Sequence, residues 1–131
     1  MKKLSGFILL YVMVAFLFSS NASAYESYQY YQHNTYSNLN VKIDVAYKGS
    51  ETTGTRQFVV KLFKITPWGE MPGENDIFIN FDLSDPKPHP NAYRVKTVVD
   101  TFFQLDPGQY VIRVYADGGT DKWSHSIVAP Y

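Results

Sequence analysis

Three histidines are the side chains of this chain best suited to bind a metal ion or transfer a proton: His33, His89 and His125. They stand far apart, and no pair has a spacing that recurs in metal sites. The sequence therefore predicts three unrelated surface or loop histidines. In Ser124-His125-Ser126, neighbours on a strand would point to opposite faces and could not act on each other. A Gly-x-Ser-x-Gly elbow is absent from the sequence, so we predict no catalytic residue and no enzymatic activity.

Aspartate residues are concentrated at two places in the chain. Asp117 and Asp121 flank two glycines, and Asp76, Asp82 and Asp85 surround another stretch. Neither place has the regular ladder of Asp and Asn that builds a dedicated calcium loop. The chain has no cysteine, which excludes disulfides, a thiol nucleophile and thiolate metal sites. We expect no cofactor and no metal site, and calcium is the one alternative that the sequence leaves open.

Aromatic residues offer a different kind of chemistry, and 18 of them follow residue 24. Five fall at strand spacings, which predicts core positions: Phe58, Phe81, Phe103, Tyr110 and Trp123. Six other residues are harder to bury and are the candidate binding residues: Tyr28, Tyr30, Tyr31, Tyr36, Trp68 and Met71. An exposed aromatic strip can stack on sugar rings or dock a protein. The alternative for Trp68 is that it folds back as a lid over the end of the domain.

Residues 1–24 have the composition of a secretory signal peptide. Lys2 and Lys3 precede an apolar block, and Ala22-Ser23-Ala24 is a typical cleavage site. The apolar block is too short to span a bilayer, which takes roughly 20 residues. We therefore expect a secreted, extracellular protein that begins at Tyr25, with association with the cell surface as an alternative. The lack of cysteine in an exported chain favours a bacterial source.

The charge of the mature chain limits the classes of partner that it is expected to bind. Cleavage leaves ten basic and twelve acidic side chains, with no run of either sign. Nucleic acids and anionic membranes bind concentrated basic surfaces. We expect neither as a partner, and no membrane association after cleavage.

Residues 38–131 have the pattern of a single antiparallel β-sandwich of about seven strands. Apolar and polar side chains alternate over residues 39–46 and 76–83, which predicts half-buried strands. Residues 57–65 are apolar on both faces, which indicates a central strand or a bulge. The remaining strands are predicted over residues 93–105, as one long strand or two short ones, and over residues 110–116 and 122–128.

The predicted connections follow from proline and glycine. Residues 66–75 form a loop, and residues 84–91, with three prolines, form a stiff extended crossing. Residues 117–121 form a hairpin loop in which glycines supply positive φ.

A tight corner joins two strands over residues 101–116. Pro107 presets φ for the first corner position and Gly108 tolerates positive φ at the second, so the chain reverses after Leu105. Tyr110 follows at once, and we predict that its hydroxyl bonds to an upstream backbone group, as in a tyrosine corner. Leu105, Pro107, Gly108 and Tyr110 are the predicted structural corner.

The stretch Phe103-Gln-Leu-Asp-Pro-Gly-Gln-Tyr-Val-Ile-Arg-Val114 resembles the Leu-x-Pro-Gly-x-Tyr corner and following strand of bacterial extracellular immunoglobulin-like and prealbumin-like modules. The resemblance covers about a dozen residues. It implies a β-sandwich used on stalks, surface proteins or enzyme accessory regions, and it brings no catalytic residue. The C-terminal sorting signal that many such surface proteins carry is missing from this sequence.

Residues 25–37 form a tyrosine-rich N-terminal arm that has no aliphatic residue and only one charged side chain, Glu26. One interpretation is a poorly ordered tail or an edge strand lying on the sandwich. The other is a self-associating arm that adds to a sheet edge of its own or a neighbouring chain.

These observations favour a secreted, non-enzymatic module that binds or self-assembles at the cell surface or in the extracellular matrix. Its partner would be an extracellular protein or polysaccharide, or a second copy through the arm. Two alternatives stay open. One is a secreted inhibitor that presents residues 67–75 or 86–91 to a protease or lytic enzyme, and the other is a small secreted hydrolase.

Overall fold

The computed structural model describes residues 25–73, 75–118 and 120–131; the predicted signal peptide lies outside them. The strands are β1 (Tyr25–His33), β2 (Ser37–Tyr47), β3 (Thr55–Thr66), β4 (Gly69–Pro72), β5 (Ile77–Asp82), β6 (Arg94–Leu105), β7 (Gly108–Ala116) and β8 (Trp123–Val128), with a 3₁₀ turn at Thr120–Lys122. The all-β prediction is confirmed. Among the described residues, no helix is long and apolar enough to cross a membrane.

Two antiparallel sheets form the sandwich. The five-stranded sheet runs β1-β7-β3, and β4 and β5 pair with successive parts of the far edge of β3. The three-stranded sheet runs β6-β2-β8. Five of the seven connections between consecutive strands cross from one sheet to the other. The predicted hairpin at residues 117–121 is therefore wrong, because β7 and β8 lie in different sheets and the connection is a crossing.

The core lies between the sheets and follows the predicted alternation. The inward side chains of β2 and of the region around β5 are buried, as expected: Leu39, Val41, Ile43, Val45, Ile77, Ile79, Phe81 and Leu83. Phe58, Tyr110 and Trp123 are also buried as predicted. Trp123 packs between Tyr47, Phe58 and Phe81 with ring centroids 4.8 to 5.5 Å away. These contacts join β2 and β8 of one sheet to β3 and β5 of the other.

The predicted core position of Phe103 is wrong, since its side chain is 59% exposed. The cause is an irregularity in β6, where Gln104 has φ of 53° and the register with β2 shifts between Ser37 and Leu39. An extra residue in one strand reverses which side chains face the core beyond it. Phe102 is therefore the buried aromatic of this strand.

Strand β3 is central in its sheet, which explains why it is apolar on both faces. It pairs with β7 on one side and with β4 and β5 on the other. Phe58, Val60 and Leu62 enter the core.

Residues 69–72, predicted as loop, form strand β4 because Gly69 adopts φ of +115° and closes a two-residue hairpin with Thr66.

Arg94 holds the proline-rich crossing between β5 and β6. Its guanidinium donates to the carbonyl oxygens of Leu83 (2.5 Å) and Asp85 (2.6 Å). This segment joins the two sheets, and it contains turns at residues 83–84 and 90–91, so the predicted extended conformation does not hold throughout.

The corner before β7 contains the hydrogen bond expected of a tyrosine corner. Tyr110 is buried, and its hydroxyl donates to the carbonyl oxygen of Asp106 at 2.7 Å. Burial raises the pKa of Tyr110. Leu105 packs against the core, while Pro107 is exposed. Gly108 has φ of +153°, a conformation that other residues rarely adopt.

A cluster of charged side chains connects three segments at the end of the sandwich opposite to the Tyr110 corner. The Glu51 carboxylate accepts from Lys122 Nζ at 2.5 Å and from the hydroxyl of Tyr47, which is fully buried, at 2.9 Å. The hydrogen bond from Lys122 is the main reason that the pKa of Glu51 falls to about 2. Arg56 lies 3.8 Å away on β3. The cluster thus links the loop after β2, the start of β3 and the turn before β8.

We predict that Tyr110→Phe lowers the free energy of unfolding by about 1 kcal/mol, the net contribution of one hydrogen bond. The cost is modest because Asp106 is exposed and water can hydrate its carbonyl once the hydroxyl is gone. Denaturant unfolding of both proteins measures the difference. Tyr93→Phe, at an exposed tyrosine, is the control and should leave the midpoint unchanged. Equal midpoints for all three proteins would show that the corner bond does not stabilise the fold.

We predict that Glu51→Gln costs about 1–2 kcal/mol at neutral pH, allowing for the partial exposure of the carboxylate. The pKa of Glu51 is lower in the folded state than its ordinary 4.5, so its contribution is fully present above pH 4.5. That contribution is lost as pH falls towards 2. The difference between the two proteins should therefore shrink between pH 5 and pH 2 in unfolding measurements. A difference that is independent of pH would contradict a charge-dependent role, and Glu26→Gln, at an exposed carboxylate, controls for net charge.

Candidate binding surface

The N-terminal segment forms an edge strand of the five-stranded sheet. All nine residues of β1 pair with β7 in one uninterrupted register, from Tyr25 opposite Ala116 to His33 opposite Gly108. Its other edge is paired with no strand in the described part of the chain. Of the two structural alternatives from the sequence, the edge strand is the one observed.

His33 fastens the end of β1 to the start of β2. Its ring is 4% exposed, and Nε2 lies 3.1 Å from both the carbonyl and the hydroxyl oxygen of Ser37. Nδ1 lies 3.1 Å from the hydroxyl of Tyr31. A ring that donates from Nε2 to the Ser37 carbonyl can accept from Tyr31 at Nδ1, so one tautomer satisfies both nitrogens. The prediction of a surface or loop histidine is therefore wrong for His33.

His125 fastens the other end of β1 to β8 of the opposite sheet. The hydroxyl of Tyr25 lies 2.8 Å from Nδ1 of His125. The ring of His125 packs 5.5 Å from that of Phe58, and burial lowers the pKa of His125. His125 is thus a half-buried interior residue, again unlike the prediction, whereas His89 lies in the exposed crossing before β6. Two histidines of this chain anchor β1, one at each end.

Outward side chains of the five-stranded sheet form a surface that we call the aromatic face. Its exposed aromatic residues are Tyr28 and Tyr30 on β1 and Phe78 on β5, and its half-buried ones are Tyr115 on β7 and Phe63 on β3. Opposite residues across the strands share a face. One row runs Phe78, Val59, Tyr115, and a second runs Phe63, Val111, Tyr30. Val111, in the middle of the second row, has no exposed surface although it lies outside the core between the sheets.

Two cationic side chains lie on the aromatic face, and each forms an ion pair with a carboxylate. Arg113 on β7 donates two hydrogen bonds to Glu70 on β4, at 2.6 and 3.0 Å. This pairing lowers the pKa of Glu70 and raises that of Arg113. Lys61 on β3 lies 3.3 Å from Asp76. The same two cations lie 5.8 Å from the ring centroids of Tyr28 and Tyr115, within the range of cation–π attraction.

The structure brings together only two of the six candidate binding residues. Tyr28 and Tyr30 are neighbours on the aromatic face, with ring centroids 5.6 Å apart in an edge-to-face arrangement. Tyr31 points to the other side of β1, where it meets His33. Tyr36 is exposed in the connection between β1 and β2.

Trp68 and Met71 lie on the β3–β4 hairpin. Trp68 is at the tip and is 93% exposed, so the alternative of a lid folded over the sandwich is wrong. Met71 lines an open cleft of about 390 Å³ between β4 and the corner before β7, together with Leu62, Phe102 and Tyr110. The two residues therefore do not form one surface with the tyrosines of β1.

Three of the five carboxylates considered for calcium, those of Asp76, Asp82 and Asp117, have other partners. Asp117 accepts from the backbone N–H of Gln57 at 3.1 Å, and Asp82 accepts from the backbone N–H of Ser84 at 2.9 Å. Across the described ranges, no group of three or more His, Asp or Glu side chains is arranged to hold a metal ion. Ser124 and Ser126 are exposed on the face of β8 opposite to His125.

No protein-family model matches the chain, and neither does any curated protein or solved structure. The resemblance to immunoglobulin-like and prealbumin-like modules therefore rests on its dozen residues alone.

Sequence reasoning missed most of the aromatic face. Phe78, Arg113 and Tyr115 were not candidate binding residues, although Arg113 and Tyr115 stood on the non-core side of a clearly alternating strand. The signal that could have revealed the face was the second apolar side of β3, where Val59, Phe63 and Ile65 alternate with core residues. A central strand that is apolar on both sides requires cover, or a partner, on its outer face.

Proposed function

We propose that this chain is an exported, non-enzymatic β-sandwich module that self-associates through the free edge of β1, at the cell surface or in the extracellular matrix. The observation that carries the proposal is the character of that edge. Strand β1 is nine residues long and regular, and it contains no proline, no lysine and a single carboxylate. Protein edges that stay monomeric are usually short, bulged, or marked by lysine or proline.

The other edges of the described sheets have such protection. Strand β4 has four residues and ends at Pro72, and β5 and β8 have six each. Strand β6 exposes the apolar side chains of Val95, Val99 and Phe103, but it also carries Lys96 and the irregularity at Gln104. A second chain would therefore meet the fewest obstacles at β1.

Two kinds of interaction support association at this edge. Main-chain N–H and C=O groups that point away from β7 supply the attraction that adds a strand to a sheet. Tyrosine side chains add large contact areas at a low cost in conformational entropy. Because β1 is anchored by His33 and His125, the edge is already in the extended shape that a partner requires.

The aromatic face supports a second part of this proposal, which is binding to partners other than a copy of the chain. Its two cations are each paired with a carboxylate, so the face presents aromatic rings without a concentrated charge. An extracellular protein or a polysaccharide is the class of partner that such a surface suits. Self-association at β1 would place the faces of two chains side by side.

Size-exclusion chromatography with light scattering, over a range of concentrations, tests the proposal. A chain that starts at Tyr25 should increase in mass with concentration beyond that of one chain. Tyr30→Lys places a positive charge beside the free edge and should keep the chain monomeric. Tyr93→Lys is the matched control, because Tyr93 is similarly exposed but lies next to β6 in the other sheet, and it should associate like the parent.

A parent chain with the mass of a monomer at every concentration would overturn the proposal. Association that Tyr30→Lys leaves intact would place the contact elsewhere. Deletion of residues 25–36 is a poorer test, because it would also uncover the edge of β7 and remove the buried His33.

A further inference from the structure

We infer that two copies of the chain pair through β1 in one antiparallel register, with the twofold axis of the dimer at Gln29. The inference rests on the proposed self-association and names its partner and geometry. The result would be a continuous sheet of ten strands, five from each copy, with both aromatic faces on the same side.

Symmetry limits the registers that are available. When a strand pairs with an identical strand about an axis perpendicular to the sheet, opposite residues must point to the same face. One residue must therefore lie opposite its own copy, and the axis passes midway between these two copies. An axis level with the gap between two successive residues of the strand is not allowed. Strand β1 therefore has only a few allowed registers, each defined by the residue on the axis.

The length of β1 selects among these registers. Gln29 is the middle residue of Tyr25–His33, so an axis there pairs all nine residues. An axis at Tyr28 or Tyr30 shortens the overlap by two residues. The main-chain groups of the two residues outside the overlap are then without partners. Each backbone group left unpaired in a covered edge is unfavourable, so full overlap is preferred.

The side chains of β1 agree with the same register. On the aromatic face, Tyr28 lies opposite Tyr30 of the second copy, so all four tyrosines form cross-strand aromatic pairs. Such pairs stabilise antiparallel sheets. Glu26 lies opposite Gln32, and the two copies of Glu26 are separated by six residues, or about 20 Å along the strand. At physiological salt this separation exceeds the screening length of about 8 Å, so the only charged side chain of β1 does not oppose pairing.

The edge formed by β4 and β5 is a poorer match for β1 of a second copy. It offers one segment of four residues that ends in proline and one of six, interrupted between them. Such a contact would also be head-to-tail and would continue into an open chain instead of a closed dimer. The longer and uninterrupted overlap favours β1 against β1.

Cysteine cross-linking tests this register cleanly, because the chain has no cysteine of its own. Residues directly opposite each other have Cβ atoms about 5 Å apart, close to the separation in a disulfide. Gln29 is exposed, so Gln29→Cys should leave the fold intact. Under mild oxidation, this variant should form a disulfide dimer about tenfold faster than Tyr28→Cys or Tyr30→Cys, as measured on non-reducing gels.

A mixture of Glu26→Cys and Gln32→Cys chains gives an independent readout. The two exposed positions lie opposite each other in the inferred register, so the mixture should cross-link while each variant alone should not. Faster cross-linking of Tyr28→Cys or Tyr30→Cys would move the axis and overturn the inference while leaving self-association standing. If light scattering shows dimers but no β1 variant cross-links, the contact lies at another edge. A parent chain that stays monomeric removes both the register and the proposed function.

Discussion

The antiparallel pairing of β1 with β7 determines the free edge of the five-stranded sheet and places Tyr28 and Tyr30 on the aromatic face. This pairing places a strand with no aliphatic side chain beside one in which five of nine residues are buried, and it holds over nine residues without a bulge. Because β1 contributes little to the central core, its position is fixed by backbone hydrogen bonds and by the two histidine contacts at its ends. The same pairing that completes the sheet leaves the outer edge of β1 without a strand in the described chain.

Most of the fold could be predicted from alternation and turn chemistry. The inward residues of β2, the region around β5, and the Tyr110 corner follow directly from local sequence. The bulge at Gln104 could not be predicted, because a non-glycine residue with positive φ has no local signature. That single residue reverses the roles of Phe102 and Phe103. Likewise, alternation within one strand does not show which sheet the next strand joins, and this is why the crossing after β7 was predicted as a hairpin.

The candidate surface was predicted less well for a related reason. Tyr28 and Tyr30 could be recognised from composition, but their neighbours Arg113, Tyr115 and Phe78 come from other strands and meet only through sheet register. His33 and His125 looked isolated because their partners are a backbone carbonyl and a tyrosine hydroxyl rather than other metal-ligand residues. A surface assembled across four strands has no short motif. Its signal is the outer apolar side of β3, which becomes informative once the strand is known to be central.

Amide hydrogen exchange of β1, measured by NMR at low and at high protein concentration, tests the central claim most directly. Every second N–H of an edge strand points to its partner and the others point away. We predict alternating protection along residues 25–33 at low concentration, because only the groups facing β7 are bonded, and protection of the remaining groups at high concentration. An alternating pattern that does not change with concentration would contradict association at this edge. Uniformly fast exchange along β1 would contradict its place in the sheet.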